Sequence, residues 1–120
     1  MNTALSLASD RLKVSETEQR FLRAMLSATP IAVRGETTLV PMSALLSAME
    51  GEDCGQDAVV KAARGLMDMR KLESAEGWTS FALVDSLECV HEASFMQFRL
   101  NQTFLGFLQH VAKREGVKPF

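Results

Sequence analysis

The sequence predicts an α+β winged helix, with the order helix, short strand, helix, helix, two-stranded wing and C-terminal helix. Two observations carry this prediction. Apolar residues recur with helical spacing from about residue 56 to residue 72. Two segments of alternating apolar and polar residues follow, Trp78 to Val84 and Ala93 to Leu100, and this alternation is typical of the half-buried strands of a hairpin. A helix joined to such a wing usually serves as a docking module for nucleic acid or protein.

Length and composition indicate one domain. The 120 residues are 47% hydrophobic, which is enough for a single core. The longest apolar runs are a few residues, and the first residues lack a charged segment followed by an apolar stretch, so we expect no membrane span and a cytoplasmic protein. Cys54 and Cys89 have no neighbouring metal-binding pattern, which favours reduced, structurally incidental thiols and no metal site.

The charge balance argues against a general affinity for DNA. Thirteen basic and fifteen acidic residues give a net charge of −2. Non-specific binding to nucleic acid comes mainly from neutralised phosphates and normally shows as a clearly basic domain. Any contact with DNA would therefore have to come from a local patch.

The first fourteen residues are open to several interpretations. Leu5, Leu7, Leu12 and Val14 recur at roughly two-residue spacing within polar sequence. They could form a short strand, an arm packed on the domain or on a second subunit, or a flexible segment. We place the winged-helix domain at residues 15–114 and a C-terminal tail at residues 115–120.

The first helix of the domain is predicted to begin at a capping box. In the segment from Ser15 to Glu18, the serine hydroxyl can accept from the amide three residues on, and the glutamate can reach back. The helix should turn Phe21, Leu22, Met25 and Leu26 toward the core and end at Thr29 and Pro30.

A short strand and a second helix should follow. Thr38 to Val40 is β-favouring, and Pro41 keeps Val40 extended before the next helix begins. That helix would direct Leu45, Leu46 and Met49 inward. An acidic turn with glycines at both ends, residues 50–55, would close it.

The helix predicted over residues 56–72 is the candidate for reading DNA, because the second helix of a helix-turn-helix enters the major groove. Asp57, Lys61, Arg64, Asp68 and Lys71 fall within one arc of it. The four-residue spacings from Asp57 to Lys61 and from Arg64 to Asp68 allow these charges to pair. A DNA-reading face and a solvated face with internal ion pairs are both consistent with this pattern.

The predicted wing and the last helix raise a second question, the partner surface. The connection from Asp85 to Glu92 would be the wing tip, and its three carboxylates and lack of lysine or arginine make it a poor clamp for phosphates. Asn101 should cap the last helix. Its broad apolar stripe would pack either in its own core or across a dimer or partner interface: Phe104, Leu105, Phe107, Leu108 and Val111.

The chain resembles the first winged-helix domain of plasmid replication initiator proteins of the Rep family over about residues 12–112. The resemblance lies in the capped helix from Ser15 to Ala28, the segment from Ala62 to Met67 ahead of Arg70 and Lys71, and a strand that begins at Trp78. It continues through residues 95–105, where a strand passes directly into a helix through a polar cap.

This resemblance implies a role in self-association or in contact with another protein. In that family the first winged domain mostly dimerises and assists binding, while a second winged domain carries much of the operator recognition. The present sequence accounts for one such domain, so the resemblance does not extend to recognition of an origin.

Catalysis is not indicated. The sequence has no tyrosine, no glycine-rich phosphate loop, no HExxH motif and no recognisable nucleophile setting. We expect no cofactor and no small-molecule substrate.

Two functions remain. The first is a dimeric, DNA-associated winged helix acting in replication initiation, partition or transcription control of a plasmid or phage. Its candidate contacts with double-stranded DNA are Lys61, Arg64, Arg70, Lys71 and Arg99. The alternative is a winged helix that docks on a host or replication protein, through the last helix or an exposed methionine-containing surface, without binding DNA directly.

Overall fold

The computed structural model describes residues 3–28, 35–48, 56–90 and 94–120. Within these residues lie five α-helices, α1 (Ala4–Leu12), α2 (Glu16–Ala28), α3 (Met42–Ala48), α4 (Gln56–Arg64) and α5 (Gln102–Glu115). A 3₁₀ helix, Gly65–Met67, extends α4. The strands are β1 (Thr38–Pro41), β2 (Arg70–Ser74), β3 (Gly77–Phe81), β4 (Val84–Val90) and β5 (Phe95–Leu100).

The N-terminal segment is a helix, which excludes the short strand among the alternatives for these residues. Thr3 and Ser6 form a capping box, in which each side-chain oxygen accepts from the other residue's backbone N–H at 3.1 Å. The helix buries Leu5, Ala8 and Leu12, whose spacing of three and four residues is helical. Reading only the larger apolar residues concealed this period, because Ala8 supplies part of it.

The segment that begins at Ala4 and the C-terminal residues up to Phe120 pack against each other on the same domain, as in the alternative of an arm packed on the domain. The N–H groups of Ala4 and Leu5 donate to the carbonyls of Lys118 and Pro119, each at 2.8 Å. These two donors belong to the first turn of α1, where a helix offers them no internal partner. Phe120 is partly buried against the core.

The capping box of α2 is confirmed. The Oγ of Ser15 accepts from the Glu18 N–H at 3.2 Å, and Glu18 Oε1 accepts from the Ser15 N–H at 3.0 Å. The four apolar residues expected to face inward are buried: Phe21, Leu22, Met25 and Leu26. The expected stop at Thr29 and Pro30 lies outside the described residues.

The larger sheet has the strand order β1, β5, β4, and both pairings are antiparallel. Its inner face buries Val40 with alternate residues of β5, namely Met96, Phe98 and Leu100. The predicted short strand and the second wing strand are therefore confirmed. In α3, Leu45 is buried as expected but Leu46 is exposed, and Met49 lies outside the described residues.

The first strand of the wing lies later in the chain than expected. β4 pairs with β5 from Val84 opposite Leu100 to Val90 opposite Phe95, so residues 85–90 form a strand and not the wing tip. Leu87 and Cys89 are half-buried while Glu88 between them is exposed. The sequence already shows this alternation of apolar and polar residues, but its carboxylates had suggested a loop. His91, Glu92 and Ala93 lie outside the described residues.

The helix predicted over residues 56–72 is shorter, and its last three residues belong to a strand. α4 ends at Arg64, the 3₁₀ helix follows, and β2 then pairs antiparallel with β3, with Arg70 opposite Phe81. Gly77, at φ +149°, follows the turn of this hairpin, where a side chain would be strained. The chain thus inserts an additional hairpin, β2–β3, between α4 and the wing.

The last helix completes the core of its own domain. Asn101 caps it by accepting from the Phe104 N–H at 3.1 Å, as predicted. Four residues proposed for a dimer or partner interface are buried among the other core side chains, and that proposal is wrong for them: Phe104, Leu105, Leu108 and Val111. Burying such side chains stabilises the fold by about 1.5–3 kcal/mol each, so α5 would not expose them while the domain stays folded.

Candidate nucleic-acid interface

The solvent side of α4 carries two cations. Val59, Ala63 and Leu66 are buried, at spacings that place them on one side of the α4 segment. Lys61 and Arg64, three residues apart, are exposed. The apolar side of α4 therefore fixes the direction in which these two charged side chains project.

These two cations are not neutralised in the way the sequence suggested. Arg64 and Asp68 would need a continuous helix to face each other, but α4 ends at Arg64, and Asp68 is extended at ψ 140°. Among the residues whose side chains are described, neither Lys61 nor Arg64 takes part in an ion pair. The side chain of Asp57 lies outside that set.

Arg70 is a structural residue, and its prediction as a DNA contact is corrected. Its side chain is only 13% exposed. One terminal nitrogen, Nη2, donates to Glu18 Oε2 at 2.5 Å and to the Gly65 carbonyl at 3.0 Å. The other, Nη1, donates to the Lys13 carbonyl at 3.0 Å. Arg70 thereby ties β2 to the ends of α1 and α4 and to the first turn of α2.

Lys71 lies on the exposed face of the β2–β3 hairpin and not on α4. Its Nζ is 3.1 Å from Glu73 Oε1 and 5.3 Å from the centroid of the Trp78 ring. Lys71 therefore does not share a helical face with Lys61 and Arg64, as the sequence had suggested.

Arg99 is exposed on the outer face of β5, apart from the α4 pair. It lines an open depression with Asp85, Asn101 and Gln102. The Asn101 amide donates to Asp85 Oδ1 at 2.7 Å, which fixes a carboxylate in the same depression. Of the five predicted contacts, the structure keeps Lys61 and Arg64 on one face and separates the other three.

Sequence reasoning missed two cations beside Lys71. Arg11 and Lys13, at the end of α1, line one depression together with Lys71 and Glu73. Arg11 Nη2 donates to the Glu73 carbonyl at 3.2 Å, and its guanidinium carbon lies 5.3 Å from the Phe107 ring centroid. The helical spacing of the apolar residues in α1 is the signal that could have placed these two cations together at the end of a helix. The same contact covers part of Phe107, the fifth residue of the predicted interface.

Apolar side chains on the outer face of the larger sheet form a different exposed surface. Leu39 on β1 is 52% exposed and Phe95 on β5 is 42% exposed. Leu39 lies opposite Gln97, two residues from Phe95, and at this diagonal position large side chains can touch.

Two other features are absent from the described ranges. None of the helices there has the length and apolar character needed to cross a membrane. The same ranges hold no group of three or more histidine, cysteine, aspartate or glutamate side chains arranged to hold a metal ion.

The fold matches that of a solved replication-protein domain. The WH1 domain of MSBI1.176, a replication protein isolated from a multiple sclerosis patient, aligns with 92% of this chain and with 91% of its own, at a TM-score of 0.51 and 14% sequence identity. No protein-family model matches the sequence, and no curated protein is significantly similar to it. The winged-helix fold predicted from the sequence is confirmed, and so, at the level of fold, is the resemblance to a Rep winged-helix domain.

Proposed function

We propose that this winged-helix protein binds double-stranded DNA through α4 and acts as a dimer in replication initiation, partition or transcription control of a plasmid or phage. The observation that carries the proposal is the pair Lys61 and Arg64, exposed on α4 and not paired with any carboxylate whose side chain is described. The protein would act in the cytoplasm, and its binding to DNA would need neither catalysis nor a cofactor.

The position of α4 supports a contact with the duplex. In a helix-turn-helix the second helix enters the major groove, and α3 and α4 occupy the corresponding places in this chain. With a net charge of −2, the protein lacks a general attraction for phosphates, so binding would depend on these local cations. The likeness to a replication-protein domain supports the choice of process by fold-level analogy.

The test is a titration of duplex DNA at two salt concentrations with matched double variants. Lys61→Ala/Arg64→Ala removes the α4 cations, and Lys113→Ala/Arg114→Ala removes two exposed cations from the end of α5. Both variants change the net charge equally. Because each phosphate contact adds about one unit to the salt slope, we expect only the α4 variant to weaken binding and to reduce the slope by about two. Equal effects of the two variants would overturn the proposal.

A second candidate function is docking on another protein without direct DNA binding. The exposed pair Leu39 and Phe95 favours it, because apolar residues side by side on a sheet face offer area for a partner. The proposed partner or homodimer interface is therefore this outer sheet face and not α5. A dimeric mass in solution, together with no retardation of duplex DNA by the protein at low salt, would favour this second function. Tight, salt-sensitive binding to random duplex would exclude it.

A further inference from the structure

We infer that the additional hairpin, together with the end of α1, forms a second nucleic-acid site that takes single strands. We call it the hairpin face, and define it as Arg11, Lys13, Lys71 and Trp78. It lies on elements other than α4 and does not depend on the duplex contact proposed above.

The first observation is the exposure of Trp78. Its side chain is 66% exposed on β3, whereas Phe81 of the same strand is 5% exposed. An indole left in water forgoes a large gain from burial, and the hairpin does not need it for its inner face, which Phe81 and half-buried Leu72 fill. Trp78 is therefore available to stack on a ligand.

The second observation is the charge beside the indole. The Nζ of Lys71 lies 5.3 Å from the Trp78 ring centroid, a separation at which a cation is attracted by an aromatic face. Arg11, Lys13 and Lys71 line one depression, in which Glu73 is the single carboxylate among the described lining residues. Lys13 and Lys71 also line an adjoining depression with Glu18 and Asp68, where Glu18 is already paired with Arg70. Three cations converge here on a chain whose net charge is −2, so this face is a local exception that favours an anion.

Single-stranded nucleic acid is the ligand that uses both features. Proteins that bind single strands combine cations that follow the backbone with aromatic rings on which unpaired bases stack. In a duplex the bases are already stacked on each other, so Trp78 would gain nothing from them. The Glu73 carboxylate lies 3.1 Å from the Lys71 ammonium. It partly neutralises that cation and repels phosphates, so it weakens the attraction for a polyanion. Glu73→Gln should therefore strengthen binding.

The chain is suited to a direct measurement. Trp78 is its one tryptophan and there is no tyrosine, so intrinsic fluorescence reports on the hairpin face alone. We expect saturable quenching when oligothymidylate of about 10 nucleotides is added, a length within the range that single-strand sites cover. Quenching should weaken as salt is raised.

Variants test each part of the site, with affinity measured by anisotropy of a labelled oligonucleotide. Trp78→Leu should weaken binding roughly tenfold, the order expected for one lost stacked base. Trp78→Phe, which keeps a ring, should retain most of the affinity. Lys71→Ala keeps the fluorophore and should weaken quenching. Lys113→Ala/Arg114→Ala is the charge-matched control for background electrostatics.

Failure of this inference can be separated from failure of the α4 proposal. Lys61→Ala/Arg64→Ala should leave quenching by oligothymidylate unchanged, and Trp78→Leu should leave duplex binding unchanged. Absence of quenching, equal affinity for a duplex of the same length, or a Trp78 blue shift with phosphatidylglycerol vesicles but no response to oligothymidylate would each overturn the single-strand assignment.

Discussion

Arg70 and Glu18 form a largely buried ion pair, with Nη2 of the arginine 2.5 Å from Oε2 of the glutamate and side-chain exposures of 13% and 15%. The same glutamate accepts from the Ser15 N–H through its other oxygen, Oε1. One carboxylate thus caps α2 and anchors the β2–β3 hairpin, so the start of a helix and the position of a strand depend on the same side chain.

Replacing Arg70 with alanine should be strongly destabilising. Removing one partner of a buried pair leaves the other charge uncompensated, at a cost of about 3–5 kcal/mol. The carbonyls of Lys13 and Gly65 would also lose their donor. The free energy of unfolding from urea titration measures the effect. The control is Arg20→Ala, which breaks the exposed pair with Glu16 and should cost at most about 1 kcal/mol. Similar losses for both variants would show that the Arg70 pair is not an anchor.

Gly35→Ala and Gly106→Ala should change stability in opposite directions. Gly35 has φ +73°, and a Cβ there would lie 2.9 Å from the Gln102 Cγ, so alanine should cost about 1–3 kcal/mol. Gly106 is exposed within α5, with nothing within 4 Å of an added Cβ. Alanine there should stabilise by about 0.5–1 kcal/mol through helix propensity. Thermal unfolding of the two variants provides the comparison, and a shift of the same sign in both would contradict it.

Phe104→Ala should lower the stability of the folded domain, because the ring is 1% exposed in the core. Truncating a buried phenylalanine costs about 3–5 kcal/mol. Urea unfolding at several protein concentrations separates this effect from a loss of association. A variant that stays as stable as the wild type while its dimer dissociates would restore the interface first assigned to α5.

Leu39→Glu should weaken self-association while leaving the stability of the folded domain nearly unchanged. The side chain is 52% exposed, so stability should change by no more than about 0.5 kcal/mol. A carboxylate on the proposed interface would have to be desolvated in the dimer, so the mass in solution should shift toward the monomer. Leu46→Glu, at a side chain 36% exposed on α3, is the control. Unchanged association in Leu39→Glu would remove this face from the proposal.

Local signals in the sequence were sufficient for several elements. The capping box at Ser15 and Glu18, the alternation along residues 95–100 and the cap at Asn101 are each complete within a few residues. The hairpin β2–β3 was missed because β2 has one aliphatic residue, Leu72, and depends on pairing with β3. Apolar residues continue at helical spacing past Gly65 in the sequence, but the pairing of β2 with β3 makes residues 70–74 a strand.

The role of Arg70 could not be read from its neighbours. Its partner Glu18 is 52 positions away, and only the folded chain brings the two together. The opposite holds for Lys61 and Arg64, whose exposure follows from the period of the buried residues in their own helix. The period of the helix was therefore enough to predict that Lys61 and Arg64 are exposed, but it could not predict the role of Arg70, which depends on three other elements.

The backbone bonds from Ala4 and Leu5 to the carbonyls of Lys118 and Pro119 bring the N-terminal and C-terminal segments to one corner of the molecule. Anything fused before α1 or after Phe120 would leave from that same corner. A circular permutant that connects these two segments and opens the chain at a surface turn is expected to keep the fold, since the linker would span a gap that hydrogen bonds already close.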